Sequence, residues 1–235
     1  MRKIVVISAG LSVPSSTRLL ADRLGDAAER AIEARGVEVE ISYVELRPLA
    51  HSLADHLLTG FPTGELAEAI DAVTHADGLI VVTPVFAASY AGLFKTFFDV
   101  IEDGAVDSKP IVVAATAGTA RHSLVLEHAL RPLFAYLRAV VVPTGVFAAS
   151  EDFGATTDGA LVKRVDRAAG ELAALVTGGV AGPGAPVAGT AAPRRRTVED
   201  EFASVTPFEE LLREAGGDLV VRLKERDRGV GRGRP

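Results

Sequence analysis

At 235 residues, with 48% hydrophobic and 24% charged side chains, the chain has an ordinary folding composition, far from the low-hydrophobicity, high-charge range of disordered sequences. It has no cysteine, which excludes disulfide frameworks, thiolate metal sites, iron–sulfur clusters and cysteine nucleophiles. Residues 1–179 carry 15 Lys/Arg against 22 Asp/Glu and residues 180–235 carry 10 against 9, so the acidic body lacks the clustered positive charge that nucleic acid demands.

The chain opens on two basic residues and an apolar run. The run is short and leads into a Ser/Pro cluster and a charged segment, so Ile4–Ile7 reads as a first strand rather than an export signal. A helical pattern over Thr17–Arg35 ends at Gly36, and Val37–Val44 reads as a second strand. Gly64–His75 is a short helix, Gly78–Val82 an apolar strand and Gly92–Ile101 a helix. Ile111–Ala115 is apolar again, Arg121–Leu137 helical, Ala139–Val142 a further strand and Gly159–Val176 a last helix. The uncharged stretch Gly78–Phe94 is broken by Pro84, Ser89 and Gly92 and falls short of the roughly 20 residues of a membrane span. With neither span nor export signal, no membrane association is expected and the expected compartment is the cytoplasm.

Apolar strands without alternation are buried on both faces, the mark of a parallel sheet. Alternating with helices, they predict an α/β three-layer sandwich, and five strands in about 150 residues suit the flavodoxin-like doubly wound order. Residues 180–193 hold six Gly or Pro, a linker composition. Arg194–Arg196 follows, and Thr206-Pro-Phe-Glu209 then resembles a capping box opening a helix over about 207–215. The expected organisation is a domain over 1–179 with a flexible tail over 180–235.

In such sheets ligands bind beyond the carboxyl ends of the strands. The loop after the first strand, Ser8 to Thr17, holds four further hydroxyls or equivalents around one glycine and ends at a helix start. Free N–H groups and the helix dipole there favour an anion such as phosphate, while Ser16 and Thr17 could equally serve only as caps. Neither a Walker loop nor G-x-G-x-x-G is present. The loop from Thr83 to Gly92 is largely apolar, which suits a flat apolar ligand or a neighbouring subunit. The loop Thr116-Ala-Gly-Thr-Ala-Arg-His122 can turn backbone amides toward a ring edge or an anion, or be an ordinary strand–helix turn.

Two stretches carry a resemblance. Thr83-Pro-Val-Phe…Tyr90-Ala-Gly-Leu-Phe-Lys-Thr-Phe-Phe-Asp99 resembles the T-P-x-Y…G-x-x-K-x-x-x-D element of the NAD(P)H-dependent FMN reductases of flavodoxin-like fold. Ala115-Thr-Ala-Gly-Thr…His122…Ala129-Leu-Arg-Pro-Leu is similar to A-T-G-G-T…H…A-L-K-P-L of the branch that feeds reduced flavin to alkanesulfonate monooxygenases. The family's first loop, G-S-x-R…S-S, is matched only at Ser16-Thr17. The resemblance spans about residues 3–150. It implies FMN as cofactor, NADPH or NADH as co-substrate, a flavin-dependent monooxygenase as partner and a homodimer or homotetramer.

It also implies site roles. Ser16 and Thr17 bind the FMN phosphate with Ser8 and Ser15 as helpers. Pro84, Val85 and Phe86, followed by Ala87, lie along the isoalloxazine. Thr116, Gly118 and Thr119, with Ala117 between them, approach its pyrimidine side. Phe86 stands where the family has tyrosine, so that hydroxyl is lost, and Ala117 replaces a glycine. No catalytic acid–base residue is expected, because hydride passes within the cofactor chemistry. No G-x-S-x-G elbow supports a hydrolase and no histidine pair has metal-ligand spacing. The competing readings are a flavodoxin-like electron carrier and a regulatory flavoprotein.

Overall fold

A computed structural model of the chain describes residues 1–153 and 159–178. The expected linker over 180–193 and helix over 207–215 lie outside the described residues. The elements run β1 (Arg2–Ser8), α1 (Ser16–Glu33), β2 (Val39–Glu45), α2 (Ala50–Thr59), α3 (Glu65–His75), β3 (Gly78–Phe86), β4 (Ser89–Tyr90) and α4 (Gly92–Asp99). They continue with β5 (Pro110–Ala117), α5 (Arg131–Tyr136), β6 (Val140–Val141), β7 (Val146–Ala149) and α6 (Ala160–Val176).

The sheet order is β2-β1-β3-β5-β6, all parallel, with β7 also parallel to β5 and β4 antiparallel to β3. This is the expected doubly wound α/β sandwich, but with seven strands instead of five. The fifth position is split: Pro110 and Ile111 pair with β6, and Ala114–Ala117 pair with β7. The split has physical causes. Arg131 donates to the carbonyls of Val142 and Pro143 at 2.9 and 2.5 Å, and Glu171 accepts from the Thr144 N–H and hydroxyl at 2.7 and 2.8 Å. The intervening backbone is thereby satisfied by side chains rather than by the ladder.

The apolar strands are buried on both sheet faces, as their lack of alternation predicts. Val5, Ile7, Leu79, Val81, Ile111 and Val113 face a core with Phe94, Phe97, Phe98 and Phe134. Ile4, Val6, Ile80, Val82, Val112 and Ala114 face the apolar stripes of α1 and α6. Phe98 meets Phe134 edge-on at 4.9 Å between centroids, a favoured aromatic geometry. Buried Lys109 donates from Nζ to the carbonyls of Val73, Thr74 and Ala76 at 3.0, 3.0 and 2.6 Å. A cation thus satisfies the carbonyl end of α3, where the helix dipole favours positive charge.

Two local expectations are corrected. The helix over Arg121–Leu137 is instead a 3₁₀ turn at Ala120–His122, a π turn at Leu126–Leu130 and α5. Pro132 sits in the first turn of α5 without an N–H to give, and Arg131 N–H bonds back five residues to Leu126. The loop after Val82 is instead a strand extension and hairpin, β3–β4. One helix, α2, was not expected from the sequence: only Leu53 of its ten residues is buried, and it starts without a side-chain cap.

Candidate functional site

The carboxyl ends of β1, β3 and β5 lie side by side, and the three expected loops meet there. Ala9 N–H extends the β1–β3 ladder by donating to Val82 O at 2.9 Å. The backbone then turns at Gly10 and re-enters a helix at Ser16. A Cβ on Gly10 would stand 2.1 Å from Ser15 Oγ and 3.3 Å from Thr17 Cβ, so a side chain there would have to displace the Ser15 hydroxyl from the helix start. Gly10 is a site residue missing from the sequence expectation, although the single glycine of the loop was its available signal.

The hydroxyls of this loop divide their tasks. Ser15 is the N-cap of α1, accepting the Arg18 N–H at 3.2 Å, which leaves its own proton to donate. Ser16 is exposed on the first helical residue. Thr17 is 2% exposed, and its hydroxyl lies 2.8 Å from that of Thr116, itself 3% exposed. Ser8 is 4% exposed at the end of β1, between Glu45 and Val82. The Ser16 and Thr17 N–H groups precede the first intrahelical bond, made by Leu19 N–H to Ser15 O. No acidic residue stands in this first turn. Arg18 is drawn away from it, donating to Asp22 at 2.6 Å and to Glu45 and lying 4.8 Å from the Tyr43 ring centroid. Burial works against the Arg18 charge, but the Asp22 and Glu45 carboxylates outweigh it and hold the guanidinium's pKa above its usual value. An anion here meets N–H and hydroxyl donors rather than an arginine.

The second wall is the β3–β4 hairpin, in which Val85 pairs with Tyr90 and Phe86 with Ser89. Its two turn residues, Ala87 and Ala88, both have positive φ, 47° and 65°. That is the turn whose twist matches a hairpin, built here without the glycine or asparagine that ordinarily relieves it. Pro84 and Val85 are half-buried, while Phe86 is 49% exposed. With Leu11 at 44% and Val13 at 83% exposure on the first loop, Phe86 gives the strand ends an apolar lip. In the third wall Ala117 is half-buried, paired with Ala149, and Gly118 and Thr119 are exposed. Thr119 caps the following 3₁₀ turn through the Arg121 N–H at 3.4 Å. All twelve expected residues therefore lie at the ends of β1, β3 and β5, on the loops that leave them or at the start of α1. Leu11 and Val13 were not expected, because exposed apolar loop residues have no periodic signal.

The donor set fits a phosphate-bearing flat ring. The helix start supplies uncharged donors without a competing carboxylate, and the hairpin and first loop supply an apolar surface of the kind that covers a ring.

Comparison with known proteins agrees. Residues 2–154 match the family of NADPH-dependent FMN reductases. An FMN reductase (NADPH) of Pseudomonas aeruginosa is 38% identical over 151 residues, covering 64% of this chain and 78% of the relative. The X-ray structure of an oxidoreductase from Corynebacterium diphtheriae is similar at 53% identity and a TM-score of 0.74, covering 76% of this chain and 98% of that one. The apo form of an NADH:FMN oxidoreductase is similar at 29% identity and a TM-score of 0.64, covering 78% and 92%. The chain belongs to the family of NADPH-dependent FMN reductases.

Proposed function

We propose that the protein is an NAD(P)H:FMN oxidoreductase that passes reduced flavin to a partner flavin-dependent monooxygenase. The observation that carries the reading is the juxtaposition of an uncharged, donor-rich helix start with an apolar lip at adjoining strand ends. FMN, when bound, supplies the acceptor for the nicotinamide's hydride. The chain's own residues bind and orient. The N–H groups of Ser16 and Thr17, the Ser16 hydroxyl and the spare Ser15 proton hold the phosphate. Pro84, Val85, Phe86 and Ala87 line one side of the ring; Ala117, Gly118 and Thr119 line its polar edge, and Thr116, its hydroxyl buried against that of Thr17, anchors the loop that carries them. The hydride transfer itself asks no side chain to move a proton.

Relatives are named for NADPH or for NADH, so either nicotinamide is a candidate co-substrate. The motif around Ala115–Thr119 and Ala129–Leu133 supports the monooxygenase partner and a homodimer or homotetramer. Among the described residues no helix is long and apolar enough to cross a membrane, and we place the protein in the cytoplasm. The activity is assigned to residues 1–179, with 180–235 as an appended tail.

Titration of the protein with FMN and riboflavin tests this reading. Ser16→Ala should weaken FMN about tenfold or more, the cost of a hydrogen bond to a charged group, and leave riboflavin within about twofold, a difference below about 0.5 kcal/mol. Parallel losses would remove Ser16 from the phosphate site.

A further inference from the structure

Thr17 and Thr116 are 99 positions apart in the chain, yet their hydroxyl oxygens are 2.8 Å apart and both side chains are almost wholly buried. The strand order gives this bond its interest. β1, which leads into α1, and β5 both flank β3 and do not touch each other, standing about 10 Å apart at ordinary strand spacing. The bond therefore crosses the end of β3, at the level where Pro84 pairs with Thr116. It ties the helix start, with its free N–H groups, directly to the strand end that leads into Gly118 and Thr119. Deeper in the fold α1 and β5 share an apolar core, with Val112 and Ala114 in the same cluster as Leu20 and Leu24; the hydroxyl pair extends that tie to the rim of the site.

Resting on the flavin reading above, we propose that the Thr17–Thr116 hydroxyl pair is a positioning element that fixes the phosphate cradle against the ring loop. A molecule that carries ring and phosphate together must satisfy both walls at one separation. If the walls are free to shift, that ligand bears the cost of ordering them when it binds. Riboflavin, which has the same ring and no phosphate, uses the ring walls alone and is largely spared. The pair thus raises affinity for the phosphorylated flavin without either hydroxyl having to touch it.

The test measures FMN and riboflavin affinities by titration, and thermal stability, for the full chain and for Thr17→Val, Thr116→Val, Thr116→Ser and the double Thr17→Val/Thr116→Val. Each single valine variant should weaken FMN about tenfold, the loss of one buried hydrogen bond, and riboflavin less than about twofold. Thr116→Ser, which keeps the hydroxyl, should restore most of the FMN affinity. The double variant should bind FMN no more weakly than the weaker single, because both break the same bond. Should a single variant fail to fold, the double one carries the same comparison, since replacing both partners leaves no buried hydroxyl unpaired.

Unchanged FMN binding in Thr116→Val would overturn the proposal. So would equal losses of FMN and riboflavin alongside lower stability, the pattern of a merely structural contact. A loss in Thr17→Val alone would assign the Thr17 hydroxyl to the phosphate directly. If the unsubstituted chain bound neither flavin, the flavin reading itself would fall, a result distinct from all of these.

Discussion

The Thr83 hydroxyl oxygen accepts the Ala91 N–H at 3.0 Å, closing the base of the β3–β4 hairpin from a side chain with no exposure. The same hydroxyl donates to the Pro84 carbonyl at 3.0 Å. One buried group therefore holds both the strand that carries Pro84 to Phe86 and the residue from which α4 starts. Thr83→Val should cost about 1–3 kcal/mol of stability, because it leaves the Ala91 N–H buried without a partner. The same variant should weaken FMN, through a displaced hairpin rather than a lost contact. Thermal unfolding and FMN titration check both, and unaltered values in both would show that the hairpin is held elsewhere.

Ala87 and Ala88 occupy backbone conformations that cost an alanine about 1 kcal/mol each relative to its preferred regions. Replacing them with Asn-Gly, the favoured pair for this turn, should stabilise the fold by about 1 kcal/mol. Ala88→Val should destabilise it by at least as much, since a β-branched side chain tolerates positive φ worse. Denaturant titration of the two variants gives the signs. A destabilised Asn-Gly variant would mean that these angles are not the turn's resting conformation.

Gly10→Ala places a methyl group 2.1 Å from Ser15 Oγ. The expected result is loss of the cap and a drop in FMN affinity of about tenfold or more. Ser15→Ala in the same chain removes the nearest clashing atom and should recover part of the affinity despite costing about 1 kcal/mol of capping. If the second substitution only adds to the damage, the two residues do not collide as described.

Burial pushes the Asp77 carboxyl up, but the Lys3 N–H at 2.8 Å and the Arg2 guanidinium at 2.7 Å, with the Lys109 charge, outweigh it and hold its pKa below the usual value. A carboxyl depressed in the folded state adds stability above its unfolded value, and that stability is lost as pH falls through the folded one. Arg2 is 43% exposed, so solvent screening keeps the effect to about 1 kcal/mol at neutral pH. Asp77→Asn should show that deficit at pH 7 and converge on the parent chain below the carboxylate range. A gap that persists in acid would trace the loss to shape rather than charge.

The layered α/β architecture was readable because parallel strands buried on both faces leave uninterrupted runs such as Ile80–Val82 and Ile111–Ala115. The places where reading failed are places where tertiary contacts replace local signals. Val146–Ala149 is a strand because β5 offers it a ladder, while Arg131 and Glu171 absorb the break before it. β3 continues past Val82 because Thr83 and Pro84 pair with β5 and a two-residue turn then lets β4 pair with Val85 and Phe86, and paired alanines at positive φ give no turn signature. In the site, the residue types and loops were legible and their division of labour was not. Ser15, Ser16 and Thr17 are chemically alike in sequence. Only the fold commits one to a cap, exposes the second and buries the third against a strand two positions away.

Flavin held at these strand ends takes electrons from a nicotinamide in the function proposed above. The most direct measurement is the rate at which the purified chain consumes NADPH, and separately NADH, with and without added FMN. FMN-dependent consumption of at least one nicotinamide is expected, with Ser16→Ala requiring about tenfold or more FMN for half-maximal rate. Tight FMN binding with no consumption of either nicotinamide would contradict it, and would leave an electron carrier in place of a reductase.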